Sequence, residues 1–415
     1  MEGQRQDTFV SEEEKTDQQS VSLEISETSE APEIPRTPDH IAKKREDIRR
    51  ACAARDLDAL VTYATSEGGL LQDELRRSAW PILVGSDRVS SREQPAWSSL
   101  PRHVDEDQVK LDVNRSFVYY PNCTDKELDG KKEELSDLIT EILRRYPMLC
   151  YFQGYHDIAQ VLLLVLGSED AVSAFARVSL FRIRDYMLPS LSPSLKHLQL
   201  IPAILEKADP KLRRHLSGTR PFFALAATLT LYAHDIQEYG DIARLYDFLL
   251  AHEPVVAIYL FAAIILSRKK ELFEIPIDEP EMLHFTLSKL PQPLDLEALI
   301  SSAIELFHQY PPESLPFRAW KQIPQYSVLK TSRDLAAEGT IEEAKKLFNL
   351  QTRDLRREEF KQKALGTLWK YRKPAGSVGL AILIAVVSFW IRRNGLDITI
   401  WNYLGRFREA FQDLR

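Results

Sequence analysis

Between residues 111 and 315 the apolar residues recur at helical spacing, and no run alternates Val, Ile and Thr at the period of a strand. In KKEELSDLITEILRRY the apolar positions are Leu135, Leu138, Ile139, Ile142, Leu143 and Tyr146. They fall at i, i+3, i+4, i+7, i+8 and i+11, one face of a helix, and Pro147 stops it. Further apolar helices are expected over roughly 155–166, 222–232 and 242–251. Upstream, helical periodicity starts at about Ile41, with Ile48, Ala51, Cys52 and Leu57 on the apolar side of a basic helix. A second helix is expected over 70–83, which Pro81 should end or bend. The chain has 415 residues, 44% of them apolar, enough for a sizeable all-α core, and it shows no repeat at a solenoid period.

Charge is placed unevenly. Residues 1–40 hold eleven Asp/Glu against three Lys/Arg, while the remaining 375 residues hold 50 acids and 51 bases. The first segment cannot bury enough apolar surface to offset ordering and reads as disordered. The near-neutral remainder fits neither a nucleic-acid binder with a strong basic field nor a uniformly acidic scaffold. Cys52, Cys123 and Cys150 are too few and scattered for a disulfide framework or a zinc site, and reduced thiols are expected. The N-terminus lacks an apolar h-region, so no cleaved secretory signal is expected.

Two apolar stretches differ in length. The twelve residues 255–266 would make about 18 Å of helix, too short for a bilayer core of ~30 Å, and read as a buried core helix. The seventeen uncharged residues 375–391 would make about 26 Å, matching the roughly 27 Å endoplasmic reticulum bilayer. Lys370, Arg372, Lys373, Arg392 and Arg393 bracket them, and Trp390 sits at one end, as an interfacial aromatic does. A membrane span is expected there, with a buried helix as the competing reading. The organisation expected is therefore a disordered acidic segment over 1–40, a helical domain over 41–316 and a charged stalk over 317–373. The span over 375–391 and a short tail over 392–415 complete it. In that tail Ile398, Trp401, Leu404, Phe407 and Phe411 can form a stripe lying on a membrane face.

Three constellations carry polar chemistry: Arg76-x-x-x-Trp80-Pro81, Val109-x-x-Asp112-x-x-Arg115 and Tyr151-Phe152-Gln153-Gly154. Each alone is weak. On a helix, Asp112 and Arg115 at i and i+3 share a face and can pair, and Gly154 permits a tight backbone path beside Gln153. In this order and spacing, with Arg115 and Gln153 38 positions apart, they resemble the TBC domain, the helical module that activates Rab GTPases. The segments YFQGYHDIAQVLLLVL and DIARLYDFLLAHEPVVAIYLFAAIIL continue the likeness, which covers about 70–315. Val109 stands where the family usually has Ile. A TBC domain followed by a stalk and a near-terminal span is similar to the subgroup in the endoplasmic reticulum membrane. That subgroup acts on the Rab controlling transport from the endoplasmic reticulum to the Golgi, and its domain faces the cytosol.

The resemblance implies that Arg115 is an arginine finger and Gln153 a glutamine finger, both supplied to a partner GTPase. Asp112, Tyr151, Gly154 and Val109 would support them, and Arg76 and Trp80 would be structural. A guanidinium is permanently charged and presents a planar fork, suited to charge on phosphoryl oxygens. A carboxamide can accept from the attacking water and donate to the phosphate. The chain carries no G-x-x-x-x-G-K-[ST] and no G-x-S-x-G, so GTP and Mg²⁺ belong to the partner and no cofactor of its own is expected. Two alternatives stand beside this reading. His156-Asp157 and His234-Asp235, with His103, would suit a helical metal-dependent phosphohydrolase. A catalytically inactive, membrane-tethered Rab-binding adaptor would share the fold but need neither finger.

Overall fold

The computed structural model describes residues 38–88, 95–121, 124–333 and 338–393, without the side chains of Pro38, Arg88 and residues 367–380. The acidic segment up to residue 37, Cys123 and the tail from residue 394 lie outside the described residues. So do the side chains of the first six residues expected to span a membrane. The chain falls into two units, 1–42 and 43–415. Residues 38–42 open the first helix, and the core and cleft belong to the second unit.

No strand occurs among the described residues. The first half holds α1 (Pro38–Ala54), α2 (Leu57–Thr65), α3 (Asp73–Val84), α4 (Glu106–Val113), α5 (Asp125–Arg145) and α6 (Tyr155–Phe181). Then come α7 (Ser192–Leu198), α8 (Leu200–Ala208), α9 (Pro210–His215), α10 (Leu225–Leu229), α11 (Tyr239–Ala251) and α12 (Val256–Ser267). The last are α13 (Lys269–Glu274), α14 (Pro280–Leu287), α15 (Leu296–Gln309), α16 (Ala319–Gln322), α17 (Val328–Thr331) and α18 (Ile341–Arg393).

Helix α5 starts on a capping box, Thr124 with Glu127, and buries the expected stripe of Leu135, Leu138, Ile139, Ile142 and Leu143 against α6. Helix α12 is buried from Val256 to Ile265, as its short all-apolar sequence requires. Helix α6 breaks its helical backbone at Gly167, just beyond the expected 155–166 stretch. Among the helices whose side chains are described throughout, it is the one long and apolar enough to cross a membrane, and most of it is buried in the core.

Three expectations change. Helix α3 does not end at Pro81 but runs on to Val84, where Gly85 in the left-handed region closes it. The stretch 222–232 is not one helix. A 3₁₀ turn over Pro221–Ala224 leads into α10, and Leu231 and Tyr232, both at positive φ, then turn the chain. Finally, packing continues past Phe317. Ala319, Ile323, Val328, Leu329, Ala344, Phe348 and Leu355 are buried, and α18 packs against α6. Buried Asp185 accepts from Gln351 Nε2 at 2.6 Å and from the Val328 amide at 3.0 Å. Beyond Leu355 the described side chains of α18 are exposed or half-buried.

Candidate functional site

The site is built from the end of α4, the loop before α6 and the turn after α10. Helix α4 stops at Val113, so Arg115 lies one residue beyond its cap rather than on a helix face with Asp112. The pairing holds nonetheless. The Arg115 guanidinium donates to the Asp112 carboxylate, the Arg115 amide bonds to the Asp112 carbonyl at 3.0 Å, and the Arg115 side chain remains 66% exposed. Asp112 is fully buried, so this is not the solvated surface pair that the spacing alone would suggest. Its other donors are Gln108 Nε2 at 3.1 Å and the Tyr151 hydroxyl at 3.0 Å. Burial, and then the Asp112 charge, push the Tyr151 phenol far above its usual pKa, so it stays protonated and donates. Val109 is fully buried beneath this end of α4. After Arg115 the chain is pinned again, where the Phe117 amide donates to buried Gln160 at 3.0 Å and Phe117 takes a positive φ.

Gly154 caps α6 with φ +100°, and a Cβ there would come within 2.5 Å of Thr230 Cγ2. No L side chain fits that backbone and that gap, which lets the preceding Gln153 stand exposed at the start of the helix. Arg115, Gln153, His156, Asp157, Phe222 and His234 line one cleft of about 630 Å³. The two finger candidates thus share a cavity.

Arg76 and Trp80 sit elsewhere. Both are buried and converge on Asp247 of α11, which lies at 0% exposure. Arg76 Nε and Nη2 reach its oxygens at 3.0 Å each, Trp80 Nε1 at 2.8 Å and the Leu70 amide at 2.9 Å. This cluster ties α3 to α11 and has no place in the cleft. Asp247 was not singled out from sequence. A carboxylate inside the apolar run RLYDFLL is the available signal, because a buried charge requires partners.

The two His-Asp dipeptides do meet. His234 Nδ1 lies 3.1 Å from Asp157 Oδ2, and His156 Nε2 lies 3.3 Å from Asp157 Oδ1. His103 is not among the cleft residues; it is buried at the start of α4, where its Nδ1 accepts from the Asp105 amide. Among the described residues no group of three His, Cys, Asp or Glu is placed to hold a metal ion, which removes the geometric basis for the phosphohydrolase reading.

A family model described as the Rab-GTPase-TBC domain matches residues 73–273. TBC1 domain family member 20 of Mus musculus is 33% identical over 351 residues, 82% of this chain and 86% of that protein. The GTPase-activating protein gyp10 of Schizosaccharomyces pombe is 32% identical over 326 residues, 77% of this chain and 87% of that protein. Among solved structures, the Ypt/Rab-GAP domain of Gyp1p aligns with a TM-score of 0.52 over 63% of this chain and 99% of that one. At 15% identity this is a likeness of fold.

Proposed function

This chain belongs to the Rab-GTPase-TBC family, and from that premise we propose that it accelerates GTP hydrolysis by a Rab docked over the cleft, with Arg115 and Gln153 supplied in trans. The observation that carries the reading is that both residues reach one cleft while buried Asp112 holds Arg115 from behind. In-line attack of water on the γ-phosphorus builds charge on the phosphoryl oxygens. Arg115 has five N–H donors and spends part of its fork on Asp112, which leaves the rest for those oxygens. The Gln153 carboxamide accepts from the attacking water and donates to the phosphate. Val104 just before α4, Leu111 on it, and Val118 and Tyr119 in the loop after it are exposed, apolar surface suited to a protein partner.

The same reading takes 375–391 as a membrane span that tethers the domain. Its support is the backbone of α18, helical to Arg393, with Ile382, Leu383, Ile384, Val386, Val387, Phe389 and Trp390 exposed. Apolar side chains displayed along consecutive residues match a lipid environment better than water. The length suits the endoplasmic reticulum bilayer, and the domain–stalk–span order is similar to the subgroup acting between endoplasmic reticulum and Golgi. The domain then faces the cytosol, where Rabs are.

The deciding experiment is GTP hydrolysis by a panel of Rabs with the detergent-solubilised full chain. Stimulation of one or a few Rabs is expected. Binding of a GTP-loaded Rab without stimulation would leave a tethered adaptor instead.

A further inference from the structure

His234 and Asp157 are 77 positions apart and meet in the cleft that also holds Arg115 and Gln153. A carboxylate can only accept, so the Nδ1 that faces Asp157 carries a proton and Nε2 is the nitrogen left to titrate. The side chain is 65% exposed, and Nε2 has no partner within the chain among the described residues. Its placement is built into the backbone. Leu231 and Tyr232 hold φ of 48° and 66°, a conformation that large side chains rarely adopt, and they reverse the chain just before His234. That reversal is clamped by buried Tyr232, whose hydroxyl donates to the Ala257 carbonyl at 2.7 Å. Strained backbone held this firmly is characteristic of functional surfaces.

We propose that His234 is a specificity-determining residue for the docked GTPase, its Nε2 donating to an acceptor oxygen of the partner when the ring is protonated and opposing that oxygen with a lone pair when it is neutral. The proposal rests on the Rab-GAP reading and adds to it a contact that no motif of the chain assigns. The groups around the ring are Asp157 on α6, Asp235 beside it, and His156 and Arg115 in the same cleft. The Asp157 hydrogen bond, with the Asp157 and Asp235 charges, outweighs partial burial and holds His234 above its ordinary pKa. Burial lowers His156, disfavouring its charged form. Below the raised His234 pKa the ring is a double donor and docking is favoured. As pH rises through that value, the Nε2 donor is lost and docking weakens.

The test measures KM and kcat for a stimulated Rab with the solubilised full chain from about pH 6 to 8.5. KM should rise about tenfold across the His234 titration, the size of one hydrogen bond to a charged group, while kcat does not follow it. His234→Gln keeps a donor near the Nε2 position at every pH and should hold KM low and flat. His234→Leu should give a high, flat KM. Asp157→Asn should move the KM rise to lower pH. Each comparison uses the same Rab, so the partner's own titrations cancel. A wild-type KM with no pH dependence, a His234→Leu profile like wild type, or a loss confined to kcat would each overturn the proposal. If His234→Leu fails to fold, the His234→Gln profile decides alone. A wild-type chain that stimulates no Rab would remove the GAP reading and this inference with it; stimulation with His234→Leu unchanged would remove only the inference.

Discussion

The Tyr151 hydroxyl donates to the Asp112 carboxylate across 3.0 Å, although 39 positions separate the two residues. This bond joins the two polar motifs. Arg115 follows Asp112 by three positions and Gln153 follows Tyr151 by two, so this contact, together with the Tyr151 amide bonded to Asp105 at 3.0 Å, ties together the segments that carry the two proposed fingers. Preorganisation of this kind matters because a displacement of about 1 Å at a catalytic group can cost roughly a hundredfold in rate.

Replacing Tyr151 with Phe keeps the ring beside Tyr155, 5.9 Å away, and deletes only the donor. Stimulated kcat should fall about tenfold and stability by about 1–3 kcal/mol, since Asp112 loses one of its donors. Rab binding should persist. Single-turnover hydrolysis with a thermal melt checks this; an unchanged kcat would mean the bond does not position Arg115.

Arg115→Ala and Arg115→Lys should both lose about three orders of magnitude of stimulation, within the range for an arginine supplied in trans. The Ala variant should also melt at a lower temperature, because it takes the charged donor away from fully buried Asp112. Near-full activity in the Lys variant would show that charge alone suffices and that the planar fork is unnecessary.

Gln153→Ala should also abolish most stimulation. Because Gln153 would take the role of the GTPase's own glutamine, a Rab mutated at that glutamine should remain partly sensitive to the wild-type chain. A Rab variant that binds yet is wholly insensitive would argue against a second finger.

Asp247→Asn tests the anchor between α3 and α11. The substitution removes one of the two carboxylates paired with buried Arg76, leaving Asp73 at 2.9 Å, and should cost about 3 kcal/mol in denaturant unfolding, the low end for a broken buried pair. The folded fraction should keep its kcat, since Asp247 is not among the residues that line the cleft. A selective loss of kcat with normal stability would contradict a structural role.

The topology of 375–391 can be read with glycosylation acceptors in microsomes. Residues 353–373 carry eight bases, against Arg392, Arg393, Arg406, Arg408 and Arg415 on the other side. The excess favours the domain side in the cytosol. An acceptor after Arg415 should be modified and one before Glu12 should not. An unmodified C-terminal acceptor, with protein released by carbonate, would leave a peripheral rather than spanning chain.

Local periodicity was enough to establish the all-helical architecture, the buried face of α5 and the buried length of α12, because burying one side of a helix imposes a pattern within a few turns. The polar motifs were legible for the same reason: their spacing lies within one turn or one loop. The family likeness rested on those short patterns. Tertiary structure decided the rest. Asp247 became an anchor only once α11 lay against α3, 171 positions away from Arg76. Helix α3 also runs on through Pro81 to Val84 rather than ending there. At Leu231 and Tyr232 a buried hydroxyl bonded to α12 accompanies a turn that helix propensity opposes. That turn set His234 against Asp157, a pairing that the dipeptides could suggest only as metal ligands. Helical pattern is written in neighbours along the chain, whereas the partner of a buried or cleft-facing polar group depends on which distant helices pack together.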